Sequence, residues 1–377
     1  MLIQSIPQVP VFCNVLWKTR DAARSAPRAD VELAYCARCG HWYNRIFDSN
    51  RLAYGLEYEN SLHFSPRFQE YAAWLAHRLV DRHDLHGKTI LEIGSGKADF
   101  LKLLVESGSN HGIGYDPSYI PTPEDQLDDR VKLICGTFDH LDDGEIPDLI
   151  YSRHTLEHLE DPRGFIKLLR TAIGMHLNTS IFIEVPNVDL IIKDLSIWDI
   201  IYEHFSYFSE SSLGHLVEAN GFSVEELMPT YQGQFLIVDA YPVEPVAAAG
   251  AAKSSRAANY QQELERFSSE YAAKIQNWTD RLEDFHKQGK TVVLWGAGSK
   301  GVMFLNLLPN AQTIQWVVDV NPRKTRMFVS GAGQEIVQPE RLTDIRPDVI
   351  VVMNPIYANE IRATVRSLGL EPELINA

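Results

Sequence analysis

The stretch Lys88–Pro117 limits the possible folds of this chain more than any other. It reads K-T-I-L-E-I-G-S-G-K-A-D-F, then an apolar helical pattern, then H-G-I-G-Y-D-P. A strand over Thr89–Ile93 is predicted to enter a turn carrying Gly94 and Gly96, continue as a helix, and return as a second strand ending at Asp116. Glycines at these places let a ligand approach the backbone with no Cβ between. The helix that follows turns its free N–H groups toward whatever lies on the turn. Asp116 stands 24 positions after Glu92, where the second strand of such a unit offers a carboxylate to a ribose diol. The pattern is that of a nucleoside-binding unit.

A dinucleotide fingerprint would need a third glycine at position 99, which is Asp99. The turn is instead E-I-G-S-G-K-A, with Glu92 two places before Gly94 and Ser95 between the glycines. This order resembles motif I of the class I S-adenosylmethionine (SAM) methyltransferases. That ligand carries a cationic amino-acid arm and no pyrophosphate, which makes Glu92 useful and a third glycine unnecessary. Leu133–Asp139, with Thr137 and Phe138, is placed to line an adenine. Asp148–Ser152 reads as a fourth strand and Ile181–Pro186 as a fifth. The alternative is a doubly wound domain that has lost its ligand.

With 377 residues the chain has room for two or three domains, and 45% apolar with 23% charged residues is ordinary for a globular protein. No run approaches a membrane span, and the N-terminus lacks the basic start of a signal peptide. Four cysteines, two of them in a C-x-x-C, suit a reducing cytoplasm better than a disulfide framework. A net charge of −15 argues against a nucleic-acid partner, which wants a basic face. The expected partner is a small molecule, and the chain is expected to be a monomer or homodimer.

Four parts are expected along the chain: a small N-terminal domain (1–53), a βα-alternating domain (54–242) opened by a helix near Ser65–Asp81, a small-residue linker (243–258), and a C-terminal part (259–377). The last begins with Leu264, Phe267, Tyr271, Ile275, Trp278, Leu282 and Phe285 at spacings of three and four, one apolar stripe along a helix. Such a stripe packs on the protein's own domains or, alternatively, forms a dimer seam. A second strand–turn–helix follows, T-V-V-L-W-G-A-G-S-K-G, with Gly296, Gly298 and Gly301, and with Asp319 23 residues beyond Gly296. Read locally this is a dinucleotide fingerprint. The overall class is α/β, with two Rossmann-like sheets.

Two segments carry ionisable groups. His154–His158, H-T-L-E-H, matches an H-x-x-E-H zinc-peptidase pattern but begins two residues after the fourth strand. There His154 is suited to cap the ligand pocket, while Glu157 and His158 read equally as helix-packing or capping groups. Trp198–Ser209, W-D-I-I-Y-E-H-F-S-Y-F-S, suits a site lid, and a histidine beside a carboxylate serves as a general base near neutral pH. An aromatic-faced helix start is the structural alternative. Cys135, in V-K-L-I-C-G, reads as a buried small residue.

The set of C-x-x-C-G-H, Y-x-N-S-L-H-F-S, motif I, Y-E-H-F-S-Y-F-S and W-G-A-G-S-K-G resembles the sugar C-methyltransferase family over essentially the whole chain. The resemblance implies SAM-dependent methylation of carbon 3 of a nucleotide-linked 4-keto-deoxysugar. It also implies a zinc-binding N-terminal domain and a C-terminal Rossmann-like domain that helps hold the sugar nucleotide without NAD. The family's lid reads Y-H-E-H; here Glu203 and His204 match, while Ile201 and Tyr202 stand at its first two positions. The family has two cysteine pairs; here only Cys36 and Cys39 form one, with Cys13 and His41 as further candidate zinc ligands.

On this reading His204, with Glu203 beside it, removes the proton on carbon 3, and the hydroxyl of Tyr202 or Tyr207 or an ordered water stabilises the enolate. Gly296, Gly298, Ser299 and Lys300 at a helix start, with Arg323, address the diphosphate. Arg323, Lys324 and Arg326 read equally as a solvated loop. Two other activities stay open: SAM-dependent O- or N-methylation of another small metabolite, and NAD(P) chemistry on the C-terminal fingerprint. A non-enzymatic SAM sensor is disfavoured by the density of ionisable lid residues.

Overall fold

The computed structural model describes residues 1–52, 58–121, 128–141, 146–244 and 257–377, the last without the side chains of 257–261. Most of the expected linker, residues 245–256, lies outside the described residues, as does the expected boundary at 53/54.

Three sheets organise the described residues. The first is antiparallel, in the order Leu2–Pro10, Arg28–Tyr35, Trp42–Asn44, Ser206–Tyr207. Along its second strand Ala29, Val31 and Leu33 alternate inward, the period of a half-buried strand. Its last strand comes from the predicted lid, which is therefore a 3₁₀ turn (Ile197–Asp199) and a short strand rather than a helix start. Asn44 N–H donates to Phe205 O at 2.8 Å, so the N-terminal sheet fixes the backbone immediately after His204.

The central sheet has seven strands in the order Phe222–Thr230, Phe235–Pro242, Ser180–Pro186, Leu149–Arg153, Thr89–Ile93, His111–Asp116, Val131–Cys135. Its five βα strands are parallel, and the hairpin 222–242 adds an antiparallel edge. The predicted strands fall within a residue or two of those observed. The helix predicted near Ser65–Asp81 runs Pro66–His83; Ser65 caps it by accepting from Phe68 N–H, and Pro66 supplies its first turn.

The third sheet is wholly parallel, in the order Glu335–Val337, Trp316–Val318, Val292–Trp295, Val349–Val352, Glu373–Asn376. Runs such as Val349–Val352 are buried throughout, as strands covered on both faces require. The long helix Ala257–Lys287 packs Leu264, Phe267, Tyr271, Trp278 and Leu282 into one apolar cluster with Ile6 and Val31 of the first sheet and Val292 and Leu294 of the third. Ile275 and Phe285 pack against the same cluster. The stripe is thus used within the chain and not as a dimer seam. No described helix is long and apolar enough to cross a membrane.

The third sheet meets its helix Ser299–Leu307 through Gly301, where a Cβ would lie 2.0 Å from Gly296 O. Backbone cannot move aside as a flexible side chain does. Gly301→Ala is therefore expected to destabilise by about 1–3 kcal/mol, read as a lower urea midpoint at unchanged slope. An unchanged midpoint would show that this helix does not press on the turn as described.

Candidate functional site

The motif I turn leaves the strand Thr89–Ile93 with Gly94 at φ 81° and Gly96 at φ 53°, both in the left-handed region. Their surroundings differ. A Cβ on Gly94 would strike Thr155 Oγ1 at 2.0 Å, whereas one on Gly96 would meet nothing within 4 Å, so Gly96 is the open position. Gly96 N–H donates to Asp116 Oδ2 at 2.8 Å, joining turn and second strand. Glu92 is buried, and burial, with Asp116 and Asp99 nearby, pushes its carboxyl up to about 8. Glu92 Oε2 and Ser95 Oγ are buried without hydrogen-bond partners. An acidic turn with unmatched polar atoms suits a ligand with a cationic arm. Phe138 is buried edge-on against Tyr115 and Thr137 is exposed. Cys135, expected to be buried, is exposed: it ends an edge strand, with Sγ 3.7 Å from Pro117 O.

Beyond the turn lies a buried ionic network. Arg153 donates to Glu184 Oε1 from Nε at 3.0 Å and from Nη2 at 2.7 Å, and stacks over Phe100. The other carboxylate oxygen accepts from the Tyr71 hydroxyl. Burial alone would raise the Glu184 carboxyl, but Arg153 and hydrogen bonds from His154 and Tyr71 hold it down at about 2. His154, at φ 51°, sits 3.0 Å from Glu184 and 3.5 Å from Glu157. Burial would favour its neutral form, yet these two carboxylates raise it to about 9, so it is an imidazolium at neutral pH.

A cleft of about 570 Å³ runs between the central and third sheets. His154, Glu157, His158, Ile201 and His204 line one part of it; Gly296, Gly298, Ser299, Lys300 and Lys324 line another. Glu157, His158 and His204 each bring a ligand-capable atom within 4.8 Å of the others, the one such grouping among the described residues. Burial, with His158 and His154 nearby, keeps the His204 imidazole far below its usual value and therefore neutral. Asp199 pairs with Lys300 across the cleft, and Lys274 of the long helix joins them, its Nζ donating to Leu195 O at 2.9 Å.

Several expected site residues stand elsewhere. The Tyr202 hydroxyl bonds Asp48 N–H at 3.1 Å, and the Tyr207 hydroxyl bonds the amide and carbonyl of Ile201 at 3.1 and 2.8 Å. Neither residue lines the cleft, so the expectation that one of them offers its hydroxyl to an enolate is corrected: both hold the lid backbone. Glu203 is fully buried and does not line the cleft; it accepts from Cys13 N–H at 2.8 Å and from Tyr58, which does. Arg323 lies 3.3 Å from Glu59, which also pairs with Lys97 of the motif I turn; its neighbour Lys324 faces the cleft instead.

The expected zinc ligands do not converge. Cys36 and Cys39 meet at their turn. His41 is instead buried against Tyr43 and Phe208, and burial lowers its imidazole to about 4. Cys13 is buried, and burial with the Glu203 carboxylate pushes its thiol up, away from the thiolate a metal needs. Two ligands do not make a tetrahedral site, so the zinc expectation is not supported.

Residues 64–227 match the family model described as a methyltransferase domain, and residues 239–369 match that of the C-methyltransferase C-terminal domain. Together the two matches support a SAM-dependent C-methyltransferase. The chain is 26% identical over 291 residues to the C-methyltransferase NovU of Streptomyces niveus, covering 73% of this chain and 68% of that protein. Among solved structures, the Burkholderia thailandensis 1,6-didemethyltoxoflavin-N1-methyltransferase is 16% identical at TM-score 0.37, covering 47% of this chain and 80% of that one. The magnesium protoporphyrin IX methyltransferase of Synechocystis PCC 6803 is likewise 16% identical at TM-score 0.37, covering 47% and 84%. The class I fold and SAM dependence expected from motif I hold for this C-methyltransferase.

Among the residues that line the cleft, sequence reasoning gave no site role to Tyr58 and Lys274 and read Glu157 and His158 as packing or capping groups. Tyr58 was inside a quoted motif, and the H-x-x-E-H spacing was the available signal for Glu157 and His158. Lys274 carries no motif at all.

The charge on His154 has a measurable consequence. Its folded value of about 9 lies above its ordinary 6.5, so its contribution to stability is complete below pH 6.5 and is lost as pH rises through about 9. Between those limits the urea midpoint of the wild type should fall more steeply than that of His154→Gln. Parallel curves would mean that His154 is neutral.

Proposed function

We propose that this C-methyltransferase transfers the SAM methyl to the carbon alpha to the ketone, C3, of a nucleotide-linked 4-keto-deoxysugar, through an enolate. The observation that carries the reading is the cleft itself, lined in one part by three histidines and in another by a helix N-terminus with Lys300, Lys324 and Lys274. The helix is nine residues long, and Gly298 just before it has no atom within 4 Å of a would-be Cβ, so a phosphate can approach its amides. With a diphosphate there, the sugar extends toward the histidines.

His204 is the proposed base. It is neutral and lines the cleft, so its lone pair is available at neutral pH. A 4-keto group acidifies the C3 hydrogen; as His204 takes that proton, negative charge moves onto the ketone oxygen. With the lid tyrosines committed to backbone and both His154 nitrogens facing carboxylates, an ordered water is assigned to hold that oxygen. Bound SAM supplies the electrophilic methyl that the carbon then takes. The Glu92–Gly96 turn and Asp116 are assigned to hold it, and holding the two reacting carbons together in one cleft supplies most of the acceleration. No role for zinc enters this scheme. We assign the enzyme to a reducing, cytoplasmic setting on its four free cysteines.

A second reading, O- or N-methylation of another small metabolite, draws support from Ile201, which puts an apolar wall into the cleft where the family's lid has a tyrosine. Mass spectrometry of reactions with deuterated-methyl SAM and a panel of nucleotide-linked 4-keto-6-deoxysugars separates the two. The expected result is a labelled methyl on C3 of one sugar, with wild-type enzyme and not with His204→Asn. SAM binding without transfer to any sugar would favour the second reading. Lys300→Glu should raise the sugar-nucleotide KM and leave SAM affinity alone; an equal loss of SAM affinity would defeat the division of the cleft.

A further inference from the structure

Two orphaned polar atoms stand close together in the cleft wall. Glu157 Oε2 and His204 Nδ1 are both buried and both lack a hydrogen-bond partner. In folded proteins such atoms are nearly always paired, so each one left over calls for an explanation. Here each supplies the other's: Glu157 and His204 belong to the group whose ligand-capable atoms lie within 4.8 Å of one another. A hydrogen bond between the two would satisfy both atoms, and it is of the kind that tightens when substrate fills a site.

We infer that Glu157 is the positioning carboxylate of the base, accepting from His204 Nδ1–H so that Nε2 keeps the lone pair for the substrate proton. The inference rests on His204 being the base. It replaces the role that adjacency in sequence suggested for Glu203, whose carboxylate accepts from Cys13 N–H and Tyr58 and does not line the cleft.

The surroundings of Glu157 favour this role. It lies on the 3₁₀ turn Leu156–His158, directly after the strand that ends at Arg153, so the backbone that carries it is anchored by the Arg153–Glu184 pair. Its other oxygen, Oε1, faces His154 Nδ1 at 3.5 Å. That contact leaves Oε2 for His204. His158, the third member of the group, donates from Nδ1 to Glu203 O at 2.9 Å, which ties the same turn to the lid backbone one residue before His204. Charge then alternates from Arg153 through Glu184 and His154 to Glu157, and His204 is the next position, ready to become a cation. A buried imidazole whose basicity is suppressed by desolvation gains it back where a carboxylate accepts its second N–H. Without that bond the other tautomer puts a proton where the base needs a lone pair.

The test is the tautomer of His204, read by ¹⁵N NMR of histidine-labelled full-length enzyme with SAM bound, alongside turnover. The wild type is expected to carry the proton on Nδ1. In Glu157→Gln the amide donates toward Nδ1, the proton moves to Nε2, and kcat falls by at least ~100-fold with KM for both substrates little changed. Glu157→Asp should restore the Nδ1–H form and part of the rate. A purely structural role would lower the urea midpoint and leave the His204 tautomer as it was. The inference fails if wild-type His204 is protonated on Nε2, or if its tautomer is the same in Glu157→Gln. It fails also if Co(II) binds at micromolar concentration in a Glu157-dependent way, because the carboxylate would then be a metal ligand. A Glu157-dependent tautomer with His204→Asn still active would uphold the pairing and instead remove His204 as base.

Discussion

The pair between Arg153 and Glu184 is the constraint on which the rest of the site depends. The two residues are register partners at the carboxyl ends of adjacent parallel strands, where ligands of an open α/β sheet gather. Taking two charges out of water costs several kcal/mol per ion, so such a pair contributes little net stability and a great deal of geometry. Leaving either partner alone is what the fold cannot tolerate. Glu184 therefore collects every donor in reach: Arg153 through two nitrogens, the Tyr71 hydroxyl, and His154. His154 is drawn into the left-handed region in the process. A backbone strained by the order of 1–3 kcal/mol persists where its surroundings over-determine it, and two carboxylates around one imidazole do so.

Carboxylates also join the three sheets. Glu59 pairs with Lys97 of the first glycine turn and with Arg323 and Asn321 of the third sheet's loop. Glu203 ties the lid to the amide of Cys13, and Asp199 ties it to Lys300. The lid's short strand, Ser206–Tyr207, pairs with Trp42–Tyr43 and leaves His204 two residues from a fixed register. The N-terminal sheet thus serves the site through backbone hydrogen bonds, with no metal called upon.

What could be read from the sequence was what is local. The turn Gly94–Gly96, the strands Leu149–Arg153 and Ser180–Pro186 and the stripe from Leu264 to Phe285 all show within one or two turns of chain. The N-terminal sheet did not, because its first strand is irregular, with register breaks between Leu2 and Gln4 and between Ile6 and Val9, and its fourth strand lies far along the chain. The roles within the lid failed for a related reason. Tyr202, Glu203 and Tyr207 have the right chemistry, but which way each side chain points is decided by a two-residue strand paired with a segment that the sequence places elsewhere. Glu157 sits 46 positions before His158's lid contact would suggest looking, since Glu203 O is what His158 touches. Sequence adjacency favoured Glu203; space favours Glu157.

The second glycine turn separates pattern from ligand. Gly301 is required because the helix backs onto Gly296 O, a matter of packing. Gly296 is required by its φ of 114°, a matter of chain direction. Only Gly298 opens onto space that a ligand can use. The acid at the end of the next strand, Asp319, accepts from Ala297 N–H at 2.9 Å and lies 3.3 Å from Lys324 Nζ, so it braces the turn and neutralises a buried lysine. Two of the three glycines and the acid thus answer to the fold. The same four residues that spell a dinucleotide fingerprint are needed by any strand–turn–helix of this tightness, whatever anion its helix receives. Lys274, Lys300 and Lys324 come from three separate elements to one cleft, where Lys300 is paired with Asp199 and Lys324 with Asp319. An anion received at this helix start must therefore compete with those two carboxylates for the lysines, a cost that the fingerprint leaves unsaid.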